Sequence, residues 1–158
     1  DWTPVVKYVC ELEGDREKWA EKEEKLRNKV KQVLKCDVSK SSVLGPVSLP
    51  QADCLLSTLC LEAACKDLTS YRAALKNISS LLKPGGHLVM MTVLKETYYI
   101  VGQKRFSCLY LEKESVVEAL SEAGFEVQCV TVMPKRSEST FSDFEAVQSL
   151  VACKQPAE

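Results

Sequence analysis

Histidine is almost missing from this chain: His87 is the single one in 158 residues. Eight cysteines are present, but no two make a C-x-x-C pair. With one imidazole and no paired thiols there is no ligand set for zinc, and no metal is expected. Glycine is scarce as well. The six are Gly14, Gly45, Gly85, Gly86, Gly102 and Gly124, and none forms G-x-G. None follows a first strand into a helix, so the chain holds no backbone cradle for a nucleotide phosphate or a similar ligand. An excess of either charge is also lacking. Twenty-one Lys and Arg stand against twenty-two Asp and Glu, for a net charge of −1. No basic field draws a phosphate backbone, so no nucleic-acid partner is expected. No apolar run approaches the roughly 20 residues of a transmembrane helix, so no membrane partner is expected either. The chain opens Asp1-Trp2 without Met and without a charged-then-apolar leader, and it reads as a piece of something longer.

What is present is ordinary globular composition. Hydrophobic residues make up 46% and charged residues 27%, which argues against disorder and fits one domain at most. The cysteines mostly lie in apolar runs, such as Cys54-Leu55-Leu56 and Val151-Ala152-Cys153. They read as reduced core thiols of a cytoplasmic protein.

Periodicity and punctuation divide the chain. Thr3 as cap, Pro4 in the first turn and Gly14 as stop predict a helix over 3–14. A second helix is predicted over 16–32. Its basic stretch, Lys25, Arg27, Lys29, Lys31 and Lys35, follows the acids Glu21, Glu23 and Glu24 and reads as a solvated face. A short strand is predicted at 33–38 and a Ser/Pro-rich loop at 39–52. The apolar run 52–61 suits a strand buried on both faces. Helix 69–83 then ends at Lys83-Pro84-Gly85-Gly86, and strand 87–94 follows at once, giving a right-handed βαβ unit. A hairpin is predicted over 97–111 with its turn near Gly102, then a helix over 112–123 and strands at 125–133 and 146–153. Between those strands the polar segment Lys135–Asp143 reads as a loop or an exposed hairpin end. The order predicts an α/β, doubly wound sheet, mostly parallel, with an antiparallel final strand and an inserted hairpin.

The segment Leu81-Leu82-Lys83-Pro84-Gly85-Gly86-His87-Leu88-Val89 resembles the turn before the fifth strand of class I S-adenosylmethionine methyltransferases. Further blocks narrow the resemblance. They include Asp1-Trp2-Thr3-Pro4-Val5-Val6, Val9-Cys10-Glu11-Leu12-Glu13-Gly14, Val33-Leu34-Lys35-Cys36-Asp37-Val38, Tyr71-Arg72-Ala73-Ala74-Leu75 and Phe106-Ser107. Together they resemble the nicotinamide, indolethylamine and phenylethanolamine N-methyltransferases over nearly the whole chain, most weakly after Met133. The resemblance places Asp1-Trp2 about midway along the family's length. It implies one Rossmann-like methyltransferase domain of which 1–158 is the C-terminal part, with the cofactor-binding N-terminal half absent. The strand at 33–38 would then lack a neighbour, and the chain alone is expected to be inactive. The cofactor implied is S-adenosyl-L-methionine, and the partner is a small-molecule methyl acceptor. A full-length monomer is expected.

By resemblance, the Asp37 carboxylate accepts from the adenine amino group, the Val38 backbone pairs with the ring edge, and Thr58 contacts the methionine part. Leu59, Thr92, Val93, Tyr99 and Cys108 are expected around the acceptor. In the nicotinamide branch an Asp stands at the position of Thr92 and a Ser at that of Cys108, and both anchor the carboxamide. Here one is a hydroxyl and the other a thiol, a much weaker hydrogen-bonding group. The acceptor therefore stays open among amines, pyridines and thioethers. Glu62 and Asp67 stand equally well as site acids or as helix-entry residues, and Tyr98 and Tyr99 as pocket wall or hairpin packing. The implied reaction is direct displacement at the methyl carbon, with the protein supplying alignment and a dry pocket. No general base and no other catalytic residue is nominated. A binding-only, non-catalytic relative is the alternative. A nicotinamide-dinucleotide oxidoreductase would need the fingerprint that is missing here.

Overall fold

The computed structural model describes residues 2–136 and 140–156. Asp1 and residues 137–139 of the polar segment lie outside the described residues. The chain divides into two units, Asp1–Lys35 and Cys36–Glu158.

The first unit is a pair of helices, α1 (Thr3–Leu12) and α2 (Trp19–Lys29). Both are shorter than the sequence predicts. Trp2, not Thr3, is the N-cap residue of α1, and Pro4 sits in its first turn. The chain leaves α1 through Glu13 and Gly14, the latter at φ 78°. The basic stretch is a solvated face, as expected: Arg27 pairs with Glu23 one turn away at 2.6 Å, and Lys25 reaches Glu17 at 3.4 Å.

The strand expected at 33–38 does not form; residues 31–37 are irregular. A strand exists by pairing, and no described segment ladders with this one. The second unit runs β1 (Ala52–Thr58), α3 (Leu61–Ala64), α4 (Leu68–Ser79), β2 (Leu82–Leu94), β3 (Tyr98–Val101), β4 (Lys104–Ser107), α5 (Lys113–Glu122), β5 (Phe125–Pro134) and β6 (Ala146–Lys154). The main sheet has the order β1-β2-β6-β5, and β3-β4 is the separate inserted hairpin. β1 and β2 are parallel, while β6 is antiparallel to both its neighbours. Three strands therefore share one direction and the last opposes them, as the sequence predicts.

Local chemistry explains the punctuation. Asp67 caps α4: its carboxylate accepts from Ser70 N at 2.7 Å, and Ser70 Oγ reaches back to the Asp67 amide. At the other end of α4, Lys154 Nζ donates to Ser79 O (2.7 Å) and Leu82 O (2.8 Å). That arrangement satisfies carbonyls that a helix end leaves open. The Pro-Gly-Gly turn is part of β2 rather than a loop before it. The ladder steps from Ala52↔Leu82 to Cys54↔His87, so residues 83–86 bulge. A Cβ on Gly86 would lie 2.9 Å from Lys83 O and 3.1 Å from Asp53 O, so only glycine fits there.

One face of the sheet carries the core. Leu88, Met90, Leu150 and Ala152 pack with Tyr71, Ala74, Leu75 and Ile78 of α4 and with Val116 and Leu120 of α5. The opposite face is open. Leu56 is 74% exposed and Met91 36%. This corrects the expectation that β1 is buried on both faces. The run is apolar throughout, but α4 and α5 cover one side only, and β1 is an edge strand among the described residues. The same geometry corrects the view of the cysteines. All eight are unpaired, but Cys36, Cys54, Cys60 and Cys129 are exposed, and only Cys10 and Cys65 are buried.

Candidate functional site

Parallel strands deliver side chains to their carboxyl ends, and both parallel strands here end in a backbone twist. Leu59, just past β1, has φ 52°, and Lys95, just past β2, has φ 56°. A bulky residue in the left-handed region costs roughly 1–2 kcal/mol. Each twist is held by a backbone bond: Leu59 N to Met91 O (2.9 Å) and Lys95 N to Leu111 O (2.9 Å). Each redirects the chain so that an acid follows near the strand end, Glu62 on α3 and Glu96 after β2.

Between these ends lies a cavity of about 250 Å³ lined by Leu59, Glu62, Ala63, Val93, Glu96, Tyr99 and Cys108. Four of the five residues expected around an acceptor are therefore together. The fifth, Thr92, is not in the lining. Successive strand residues face opposite sides, so Val93 turns to the cavity and Thr92 to the core, where it is 1% exposed.

The hairpin forms one wall. Tyr99 stacks on Phe106 at 5.4 Å with an interplanar angle of 17°. Cys108 N donates to Thr97 O and Leu109 N to Glu62 O, which stitches the hairpin's exit onto α3. The segment after the polar loop clamps the other side. Asp143 Oδ1 accepts from Thr97 N (2.8 Å) and Tyr98 N (3.1 Å), and Ile100 N donates to Phe141 O at 2.7 Å. These bonds hold the Asp143 carboxyl below its usual pKa. Ser142 Oγ donates to Glu96.

Two buried acids line the cavity. Glu62 is 3% exposed and Glu96 6%. Glu62 Oε1 accepts from Val93 N at 3.2 Å. Burial pushes the Glu62 carboxyl up and Glu96 adds to this, while hydrogen bonding from the Val93 amide pulls it down. Burial, with Glu96 and Glu62 beside it, also holds Cys108 protonated, so it is a neutral thiol. Glu96 went unnoticed in the sequence, and Glu62 stood there equally as a helix-entry residue. The available signal was an acid just beyond each parallel strand.

Of the residues expected to hold a cofactor, Thr58 ends β1, while Asp37 and Val38 sit in a turn tethered to α4. Asp37 is exposed, and its Oδ1 accepts from Ser39 N (3.0 Å) and Ser39 Oγ (2.6 Å), a turn of the Asx kind. Asn77 of α4 donates to Val38 O at 2.9 Å and fixes that turn against the sheet unit. Thr58 is exposed at the end of β1. An exposed acid beside a tethered backbone fits the edge of an adenine ring. The described residues supply no glycine-rich turn for the rest of such a molecule.

Comparison with known proteins bears on family and fold. The profile of the NNMT/PNMT/TEMT family matches residues 1–155. Nicotinamide N-methyltransferase of Homo sapiens is 56% identical over 154 residues, covering 98% of this chain and 58% of the relative. Indolethylamine N-methyltransferase of Oryctolagus cuniculus is 50% identical over 156 residues, covering 99% and 59%. The chain thus spans a little over half the length of the curated relatives it matches. Among solved structures, a SAM-dependent methyltransferase of Methanosarcina mazei aligns with a TM-score of 0.57 at 15% identity, over 75% of this chain and 66% of that one. An S-adenosylmethionine-dependent methyltransferase of Clostridium acetobutylicum gives 0.56 at 13% identity, over 87% and 71%. These last two show the fold, a Rossmann-like methyltransferase sheet. The sequence matches show more: this chain belongs to the NNMT/PNMT/TEMT family.

Proposed function

We propose that this chain is the acceptor-side, C-terminal part of a single S-adenosyl-L-methionine-dependent N-methyltransferase domain, and that its acceptor is a small amine. The observation that carries the reading is the pair of buried carboxylates, Glu62 and Glu96, in a cavity whose other walls are Leu59, Val93, Tyr99 and the neutral thiol of Cys108. A neutral amine donates its N–H groups to such acids and pairs with them once methylation has made it a cation, whereas a pyridine carboxamide carries its donors away from the reacting nitrogen and a thioether carries none. The cavity is smaller than the roughly 300–1,000 Å³ of drug-sized pockets, which suits a small acceptor.

Bound S-adenosyl-L-methionine supplies a methyl group already activated on sulfur. The chain's own residues bind and orient. Asp37 and the Val38 backbone take the adenine edge, and Thr58 takes the methionine part. Tyr99 and Leu59 exclude water from the acceptor, and Glu62 and Glu96 hold its nitrogen in line. No residue is assigned as general base. The cofactor-binding N-terminal half lies outside this chain in the reading. Eight unpaired thiols support a cytoplasmic enzyme and a near-zero net charge one that engages no nucleic acid; we take the full-length enzyme to be a monomer that engages no membrane.

Calorimetric titration with S-adenosylhomocysteine tests the division of labour. The chain alone is expected to give no binding heat, and the parent with the upstream half restored is expected to bind. Tight binding by the chain alone would overturn the division. Binding by neither protein would favour the non-catalytic alternative.

A further inference from the structure

Behind the acceptor cavity, on the core side of the sheet, several polar atoms are buried without a hydrogen-bond partner among the described residues. They are Tyr71 Oη, Thr92 Oγ1 and both Gln148 side-chain atoms, Oε1 and Nε2. Tyr71 and Gln148 are 0% exposed and Thr92 is 1%. Orphaned groups of this kind are rare in native cores and each costs about 1–3 kcal/mol when nothing satisfies it. They are also not scattered. Thr92 and Gln148 are direct cross-strand partners in the β2–β6 ladder, so their side chains leave the same face as neighbours. The Glu62 carboxylate is fixed to the amide of Val93, the residue next to Thr92. The Thr92 hydroxyl lies close enough to Glu62 to stabilise its charge, without completing a regular hydrogen bond. Tyr71 of α4 feels the Glu62 charge as well. Buried polar groups that influence one another across more than a hydrogen-bond length are the setting in which an internal water makes about three bonds.

We propose that Tyr71 Oη, Thr92 Oγ1 and the Gln148 carboxamide build an internal water site that hydrogen-bonds the Glu62 carboxylate from behind and orients it toward the acceptor cavity. The role of Glu62 toward an amine rests on the function proposed above; the water site itself does not. In this arrangement Thr92, Tyr71 and Gln148 are positioning residues. The chemistry is directional. The Tyr71 and Thr92 hydroxyls donate to the two lone pairs of the water, whose protons go to Gln148 Oε1 and to Glu62. The remaining titratable groups that face Glu62 are Glu96, Cys108 and Cys65, and none of them donates to it from the core side.

The test follows the Glu62 carboxyl directly, by carbon-detected NMR titration of the full chain labelled at glutamate. Thr92→Val is expected to raise the Glu62 pKa by about half a unit or more, because it removes a donor to the charged form. Thr92→Ser, which keeps the hydroxyl, is expected to restore the parent value. Tyr71→Phe and Gln148→Met are expected to move it the same way as Thr92→Val, and they carry the test if the valine variant does not fold. A high-resolution crystal structure is expected to show water density within hydrogen-bond distance of Thr92 Oγ1 and Gln148. Identical titrations for the valine, serine and parent chains would overturn the proposal, as would side chains bonded directly to one another with no such density. Neither readout uses methyl transfer, so both outcomes stay separate from the fate of the proposed activity.

Discussion

Glu62 concentrates the residue-scale consequences. Burial raises its pKa above the ordinary 4.5. The folded chain therefore holds a proton that the unfolded chain has already released between the two values. Stability from this group is fully present below about 4.5 and is lost as pH rises through the raised value. Above that raised value the buried charge opposes folding. Glu62→Gln removes that charge, and its amide oxygen can still accept from Val93 N. The variant is expected to melt at a higher temperature than the parent above the raised Glu62 pKa, with the difference narrowing on acidification. In an active enzyme containing this chain it is expected to lose at least about tenfold in kcat/KM for an amine, because one buried acid no longer stabilises the positive charge that the amine gains in methyl transfer. Equal melting temperatures across pH, or unchanged amine turnover, would count against the assignment. At this scale the sequence was partly legible. Leu59, Val93, Tyr99 and Cys108 were placed by resemblance and do line the cavity. Thr92 was placed with them, but strand alternation turns it away from the lining. Glu96 was missed although the end of strand 87–94 was read correctly, because the left-handed turn at Lys95 that brings it beside Glu62 leaves no mark in the sequence.

At the scale of elements, two contacts position the site. Gly86 lets β2 resume its pairing with β1 after the bulge, so it sets the register that brings both strand ends to the same edge. Gly86→Ala forces a Cβ against three backbone carbonyls, and it is expected to cost about 1–3 kcal/mol in urea unfolding. A cost near zero would mean the bulge relaxes freely. Asp143 fastens the β3–β4 hairpin through the amides of Thr97 and Tyr98. Asp143→Ala is expected to raise KM for the acceptor several-fold while leaving the folded core intact by circular dichroism; an unchanged KM would release the hairpin from that role. The helices and the hairpin were readable because 3.6-residue periodicity, Asp67, Gly102 and Gly124 are local signals. The strand at 33–38 was not, because its apolar residues fit an extended segment but pairing depends on a neighbour that local sequence does not reveal. β1 failed in the opposite sense: its composition matches a strand buried twice, yet only α4 and α5 cover it.

The whole molecule shows the same asymmetry. Its sheet has one packed face and one open face, and Leu56 and Met91 lie exposed beside the free edge of β1. A doubly wound sheet covers both faces, and the chain spans 58% of its human relative. Both facts support the assignment of a further half that completes the sheet and holds most of the cofactor, leaving the acceptor cavity to this chain. The central claim is that two buried acids make this cavity select a small amine. The measurement that meets it most directly is methyl transfer from labelled S-adenosyl-L-methionine by the parent protein containing this chain, offered small primary amines, nicotinamide and a thioether in parallel, with Glu62→Gln and Glu96→Gln alongside. Methylation of an amine in preference to nicotinamide and the thioether, lost in both variants, is the predicted result. Preferred methylation of nicotinamide or the thioether, with both acids dispensable, would contradict it.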